Sequence, residues 1–182
     1  MKTSIIAPVL LATMTLAACS AEPDATNEAG AEVQATLLEV LQQTDAASSV
    51  ADAMGAAGLD SVLEEATGSY TILAPEDGVF EPLTEEGSTP TALLASILRE
   101  HMLPGQLDIP AIKAAIESNG GPVSVATVGT GTLQFALDGD ALTVTHSESG
   151  RSAKLSDEAG QAQNGALLLL DSVLVVPPTE ES

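Results

Sequence analysis

The sequence predicts an α+β fold in which most helices precede most strands. Apolar residues recur at the spacing of amphipathic helices through much of residues 33–120, whereas after residue 121 they alternate with polar residues at period two. A segment of β-branched and aliphatic residues, 70–75, interrupts the helical half and predicts one early strand. It ends at Ala-Pro and is followed by an expected turn carrying Phe80. This order of patterns is typical of an α+β domain.

Five helical segments are expected before the sequence pattern changes. Thr44 or Asp45 can cap the second segment, and Gly58 ends it. Thr89 followed by Pro90 matches an N-cap with proline in the first helical position of the fourth segment. The expected bounds, in chain order, are residues 33–43, 44–58, 60–64, 89–105 and 110–120.

A β-hairpin is expected after the last helix. Residues 138–139 are Asp-Gly, a strong signal for a two-residue turn between strands. Pairing across that turn places Phe135 opposite Leu142, and Leu133 opposite Val144. The apolar faces of the two strands then agree, which supports the expected register.

The closing segment, residues 167–176, is apolar on both faces apart from Asp171 and Ser172. It is too short to span a membrane as a helix, so it predicts a central strand covered on both sides. Asp171 interrupts this strand, and a buried carboxylate needs partners, so we expect it to be a hydrogen-bonded anchor. Asn164 and Gly165 predict the turn that precedes the strand.

The N-terminal residues predict export and lipid anchoring. Residues 1–18 combine a basic start, a short apolar segment and small residues at the end, which is the pattern of a signal peptide. Cys19 follows directly and is the sole thiol, so the whole resembles a bacterial lipoprotein signal, in which that thiol is alkylated with diacylglycerol. Residues 19–32 have the composition of a flexible tether. The resemblance to proteobacterial lipoproteins implies that Ser20 after the cysteine, rather than Asp, directs sorting to the outer membrane, on its periplasmic or cell-surface face.

The composition limits the number of domains that the chain can form and the classes of partner that it can bind. At 182 residues and 45% apolar content, the chain can bury one core, which we place in residues 33–178, before a polar tail of residues 179–182. Twenty-six acidic residues face five basic ones, and the net charge of -21 repels phosphate backbones, so we expect no nucleic-acid partner. The acidity provides solubility, or else acidic loops bind divalent cations, although no EF-hand spacing occurs.

No motif of a catalytic or metal site is found. The sequence lacks G-x-S-x-G, and two distant histidines with one cysteine provide no zinc-binding spacing. Chance carboxylate pairs are expected among 26 acidic residues, so spacing alone identifies no glycosidase pair. We therefore expect no enzyme activity, no catalytic residue, no cofactor and no metal.

The two histidines are expected to differ in burial. His101 lies four residues after Ile97 and seven after Leu94, which places it on the apolar face of a helix and predicts a buried structural residue. His146 ends the second strand of the hairpin, where we expect it to be exposed to solvent.

Three separated segments of the chain carry motifs in a fixed order. Residues 70–80 contain T-x-x-A-P followed by Phe80, residues 97–105 contain L-x-x-H, and residues 164–177 contain N-G-x-x-x-x-x-D-x-V-L. Together, over residues 37–178, they resemble the fasciclin domain. That resemblance implies a compact β-sandwich with helices packed at one side and edge.

The resemblance implies an interaction or adhesion module rather than an enzyme. Expected partners are an extracellular matrix polymer, a cell-surface protein or an envelope protein, with the membrane contacted through the lipid anchor only. The family commonly has Tyr-His where this chain has Glu100-His101, and some animal members use that pair to bind integrins, so Glu100 and His101 are the candidate partner-binding residues. Leu168 stands where the family often has a histidine. The alternative is a carrier of an apolar small molecule such as a carotenoid, which requires exposed aliphatic side chains around residues 97–105 and 82–90.

Overall fold

The computed structural model describes residues 35–64, 68–85 and 89–177. The predicted signal peptide, Cys19, the tether and the polar tail lie outside these residues and stay predictions. Six α-helices occur in the described residues, with a 3-10 turn at Asp45–Ala47 between the first two: α1 Leu37–Gln42, α2 Ser48–Ala56, α3 Asp60–Glu64, α4 Asp77–Thr84, α5 Thr91–Glu100 and α6 Ile109–Asn119. The strands there are β1 Tyr70–Pro75, β2 Met102–Pro104, β3 Val123–Ala126, β4 Thr132–Asp138, β5 Ala141–His146, β6 Ser152–Ala162 and β7 Gly165–Leu170.

Local sequence signals explain where several helices begin and end. α1 begins with a capping box in which Glu39 N–H donates to Thr36 Oγ1 and Thr36 N–H donates to the Glu39 carboxylate. Asp108 is the N-cap of α6, and its carboxylate accepts from Ala111 N–H at 2.7 Å; Gly120, in the left-handed conformation, is the C-cap. The predicted end of α6 is therefore confirmed.

Two predictions on either side of α5 were wrong. The helix begins at Thr91, with Pro90 rather than Thr89 in the N-cap position, and it ends at Glu100 instead of running to residue 105. The three residues of β2 then pair antiparallel with β1, because Leu103 and its neighbours complete the sheet edge instead of another helical turn. The expected turn carrying Phe80 is the helix α4, which places that ring in the core with no exposed surface.

The strands form one hydrogen-bonded order, β2-β1-β7-β6-β5-β4-β3, in which β1 and β7 are parallel and every other pair is antiparallel. The long strand β6 belongs to both halves, since its first residues pair with β5 and its later residues pair with β7. Two register irregularities within β6 accompany this change of partner. β3 and β6 were not predicted as strands, and β6 contains no β-branched or aromatic residue that would have indicated one.

The predicted hairpin exists, but its register is shifted by two residues. Phe135 lies opposite Val144 and not Leu142, and Leu133 lies opposite His146. The reason is the turn, which contains Gly139, at φ 63°, and Asp140, while Asp138 still pairs within the strand. A shift of two residues leaves every side chain on its expected face.

Two apolar cores lie on opposite faces of the β1–β7 part of the sheet. The first is formed by α1 to α5 with Leu167 and Ile72, and it includes Phe80. The second lies between the two halves of the sheet and α6, and it includes Phe135 and Leu168. This arrangement of packed strands with helices at one side and edge confirms the α+β sandwich.

β7 is a central strand between β1 and β6, as expected, although it ends at Leu170 and not at residue 176. Successive residues of β7 enter opposite cores, which is why the strand lacks a polar face.

The two edge strands approach each other at the end of α5. Val128 N–H donates to Met102 O at 2.8 Å, and Gly129 N–H donates to Arg99 O at 3.1 Å. These bonds hold the loop 127–131, which connects β3 to β4, over the last turn of α5. No helix in the described part of the chain is long and apolar enough to cross a membrane.

Candidate functional site

Glu100 forms the centre of a buried polar cluster at the end of α5. Its position next to the apolar face of the helix leaves it only 7% exposed. The carboxylate accepts hydrogen bonds from Thr127 Oγ1 at 2.7 Å, Thr130 N–H at 2.8 Å and Gly131 N–H at 3.0 Å. Thr130 Oγ1 lies 3.2 Å from the same carboxylate. One acidic side chain thereby organises the whole loop 127–131.

Two glycines make this close approach possible. A Cβ on Gly129 would overlap the Glu100 carboxylate, and a Cβ on Gly131 would overlap both that carboxylate and the His146 ring. Gly129 and Gly131 therefore allow the loop backbone to reach the buried anion, where a larger residue would force it away.

The Glu100 carboxylate is ionised in spite of its burial. Desolvation by itself would raise the pKa of this carboxyl group. The hydrogen bonds from Thr130, Thr127, His146 and Gly131 outweigh that effect and lower the pKa to about 2. A fixed negative charge therefore lies beneath the loop at neutral pH.

His146 is buried, at 4% exposure, so the prediction that it is exposed was wrong. Its Nε2 lies 3.3 Å from Glu100 Oε2 and 3.4 Å from Glu148 Oε2. The cause is the face it occupies, since it continues the alternation of Leu142 and Val144 along β5 and points inward as they do. That period-two signal was present in the sequence and could have identified the burial.

Ser149, His146 and Glu100 form a chain of contacts that has the composition of a catalytic triad. Ser149 Oγ lies 3.1 Å from His146 Nδ1, and His146 Nε2 faces the Glu100 carboxylate. However, Ser149 N–H also donates to Nδ1 at 3.1 Å, and Ser149 Oγ donates to Leu174 O at 2.7 Å. The hydroxyl proton is thus directed to a carbonyl group rather than to the histidine. This geometry stabilises the turn after β5 and does not activate a nucleophile.

His101 is buried at 1% exposure, as predicted. Leu174 N–H donates to His101 Nε2 at 3.1 Å, so Nδ1 carries the proton and donates to Ile97 O at 2.9 Å. Burial lowers the pKa of this imidazole to about 4, with a smaller contribution in the same direction from His146. His101 is therefore neutral at physiological pH and fastens the segment after β7 to α5.

The candidate partner-binding pair, Glu100 and His101, thus lies beneath the surface, with both side chains engaged in internal hydrogen bonds. The loop that Glu100 holds carries exposed residues, among them Val128, which is 37% exposed. A binding role for the pair stays a prediction, and in this geometry it would act through the loop.

Two residues of the closing motif have structural roles. Asp171 is exposed, so its predicted burial was wrong, but it does anchor β6 by accepting from Lys154 N–H at 2.8 Å. Asn164 is buried, and it joins the helices to the sheet by accepting from Leu37 N–H and donating to Leu63 O, both at 2.7 Å.

A shallow apolar groove of about 280 Å³ lies between α4 and the segment that follows β7. It is lined by Val79, Pro82, Leu83, Arg151, Ser172, Val173 and Val176. Within the described ranges no group of three histidine, cysteine or acidic residues is arranged to hold a metal ion.

Comparisons with known proteins agree on one family. The model of the fasciclin domain matches residues 45–177. The transforming growth factor-beta-induced protein ig-h3 of Sus scrofa is 28% identical over 142 residues, which is 75% of this chain but 19% of that protein. A FAS1 domain pair from the insect cell adhesion molecule fasciclin I superimposes with a TM-score of 0.52 at 24% identity, covering 72% of this chain and 44% of the other. The chain thus spans less than half the length of either relative, and the structural likeness establishes the fold.

Proposed function

The chain belongs to the fasciclin domain family, and from this premise we propose that it is a lipid-anchored interaction and adhesion module of the cell envelope without catalytic activity. The observation that carries the proposal is the family match over residues 45–177. The named structural relative is a cell adhesion molecule, which favours the same role here. The internal hydrogen bonds of the polar cluster support it further, because they leave Ser149 without a free base.

The proposed partner is a matrix polymer, a cell-surface protein or an envelope protein. Acylation of Cys19 would anchor the protein, and the tether would present the domain away from the membrane. With a net charge of -21, the domain would bind an anionic polymer poorly unless divalent cations bridge the two.

The proposed contact surface is the loop 127–131. Glu100 holds this loop from below through three close hydrogen bonds, so Val128 is presented on an ordered segment. Glu100 would then be a positioning residue for binding.

The experiment is retention of purified envelope components on the immobilised full chain. Val128→Asp should lower retention of the bound partner severalfold because it places a charge in the contact surface. Val79→Asp, an equally exposed valine on α4, is the matched control and should leave retention unchanged. Equal retention by the wild type and Val128→Asp would refute the assignment of this surface.

A second candidate function, carriage of an apolar small molecule, is favoured by the groove at α4. The exposed aliphatic residues expected near residues 97–105 are absent, since Ile97, Leu98 and Leu103 are buried. Pro82, from the other expected segment, does line the groove.

A further inference from the structure

Two neighbouring depressions on the surface share Ser172. One is the apolar groove between α4 and the segment after β7. The other, here called the polar pocket, has a volume of about 180 Å³ and is lined by Thr143, Ser152, Ala153, Lys154, Asp171 and Ser172. An apolar surface and a polar surface therefore meet at one residue, which is the layout that an amphiphile requires.

Exposed aliphatic side chains cluster at the groove. In the described part of the chain, three large hydrophobic residues are exposed, and two of them, Val79 at 40% and Val176 at 38%, line this groove. Val173 forms the floor at 5% exposure. Clustered exposed aliphatic side chains indicate a binding surface more strongly than scattered ones.

Positive charge is concentrated at the same place. Of the basic residues in the described ranges, Arg99, Lys113, Arg151 and Lys154, the last two line the groove and the polar pocket respectively. Neither of these two forms an ion pair with a described carboxylate. In a protein with a net charge of -21, these two cations provide a place where an anion is attracted rather than repelled.

Arg151 is held in a defined orientation. Its Nε donates to Val173 O at 2.9 Å, which fixes the guanidinium at the edge of the groove and leaves its two terminal nitrogens for a ligand. A planar carboxylate matches two such donors.

Asp171 restricts the charge that the site accepts. This carboxylate lines the polar pocket and is held there by Lys154 N–H at 2.8 Å. It would repel a dianionic head group more strongly than a monoanionic one. In the polar pocket, next to the groove, a carboxylate is therefore less disfavoured than a phosphate monoester.

We infer that the groove binds a single-chain aliphatic carboxylate, whose head group contacts Arg151 and whose chain lies along Val79, Pro82 and Val176. The groove volume of about 280 Å³ is close to the lower end of ligand sites, so it suits one aliphatic chain and not a long polyene. This inference rests on the second candidate function, carriage, and is independent of adhesion through the loop 127–131.

The test is calorimetric titration of the full chain, synthesised without membranes so that Cys19 stays unmodified, with dodecanoate, 1-dodecanol and dodecyl phosphate. Dodecanoate should bind at one site and more tightly than the other two. Arg151→Gln should weaken dodecanoate binding by about tenfold, the loss expected for one charge-assisted contact, and remove its advantage over dodecanol. Val176→Asp should abolish binding of all three.

Two matched controls separate the site from general effects. Arg99→Gln removes an exposed cation on α5, and Val128→Asp adds the same charge on the loop, so both should bind dodecanoate like the wild type. Equal affinity for dodecanoate and dodecanol, an unchanged affinity in Arg151→Gln, or no saturable binding by the folded wild type would overturn the inference. Failure of this inference is distinguishable from failure of the adhesion proposal. Val128→Asp should lose partner retention while keeping dodecanoate binding, whereas Val176→Asp should lose dodecanoate binding while keeping partner retention.

Discussion

Replacement of Glu100 by glutamine should destabilise the fold by an amount that depends on pH. The carboxyl pKa falls from 4.5 to about 2 in the folded protein, a difference of roughly two and a half pKa units, or about 3 kcal/mol. Because the folded-state pKa is lowered, this stabilisation is present above pH 4.5 and is lost as the pH falls towards 2. Glutamine keeps the shape of the side chain but removes the charge, and it places an amide donor against the donors of the loop 127–131.

The assay is denaturant unfolding of the wild type and Glu100→Gln at pH values from 7 down to 4 and below. The difference in unfolding free energy should be about 3 kcal/mol at neutral pH and should shrink as the pH falls below the unfolded-state pKa. Taking the difference between two variants cancels the titration of the other acidic residues, as far as they do not contact Glu100.

The matched control is Glu148→Gln, which removes the other carboxylate near His146. Its side chain is 54% exposed and lies 3.4 Å from His146 Nε2, so its loss should cost less than about 1 kcal/mol. A cost below about 1 kcal/mol for Glu100→Gln at neutral pH, or a cost independent of pH, would refute the claim that a buried anion organises this loop.

Four further predictions concern three residues. His101→Ala should lower the unfolding free energy by about 1–3 kcal/mol in chemical denaturation, because it leaves Leu174 N–H unpaired. Loss of partner binding at an unchanged melting temperature would instead indicate that His101 belongs to the binding site. The wild type should also lose stability as the pH falls from 6.5 towards 4, because His101 is protonated in the unfolded chain over this range but stays neutral in the folded protein. A His101→Gln variant should lack this part of the pH dependence in thermal unfolding. Gly131→Ala should lower the melting temperature because its Cβ would overlap the Glu100 carboxylate and the His146 ring. Gly121→Ala is the control, since its Cβ would meet no atom within 4 Å, and it should leave the melting temperature unchanged. Equal melting temperatures of the two variants would contradict the close packing around Gly131. Cys19→Ala should abolish labelling by radioactive fatty acid and membrane retention, and unchanged labelling would rule out Cys19 as the lipid attachment site.

Sequence patterns predicted the features that depend on local signals. The glycine stops of the helices, the hairpin faces and the two-sided burial of β7 all follow from residue type and periodicity. The predicted N-caps were wrong, because Ala47 rather than Thr44 or Asp45 precedes α2, and Pro90 rather than Thr89 precedes α5. The same reasoning missed β6, because that strand is stabilised by neighbours on both sides and needs no intrinsic strand preference of its own.

The polar cluster could be predicted only in part. His101 was correctly placed by helical spacing, and His146 could have been placed by its alternation with Val144. The burial of Glu100 had no sequence signal, since its hydrogen-bond donors come from a loop about thirty residues away that meets α5 only when the sheet edges approach each other. Contacts of this kind are decided by tertiary structure, and the glycines that permit them are indistinguishable in sequence from ordinary turn residues.

The central claim, that this fasciclin domain binds and does not catalyse, is tested most directly by attachment of cells that carry the chain with residues 33–178 deleted and residues 1–32 retained. Attachment to other cells or to matrix-coated surfaces should fall to the level of cells lacking the whole chain, while growth on diverse substrates stays unchanged. Attachment equal to that of the intact chain, together with loss of growth on one substrate, would contradict the claim and indicate an enzyme.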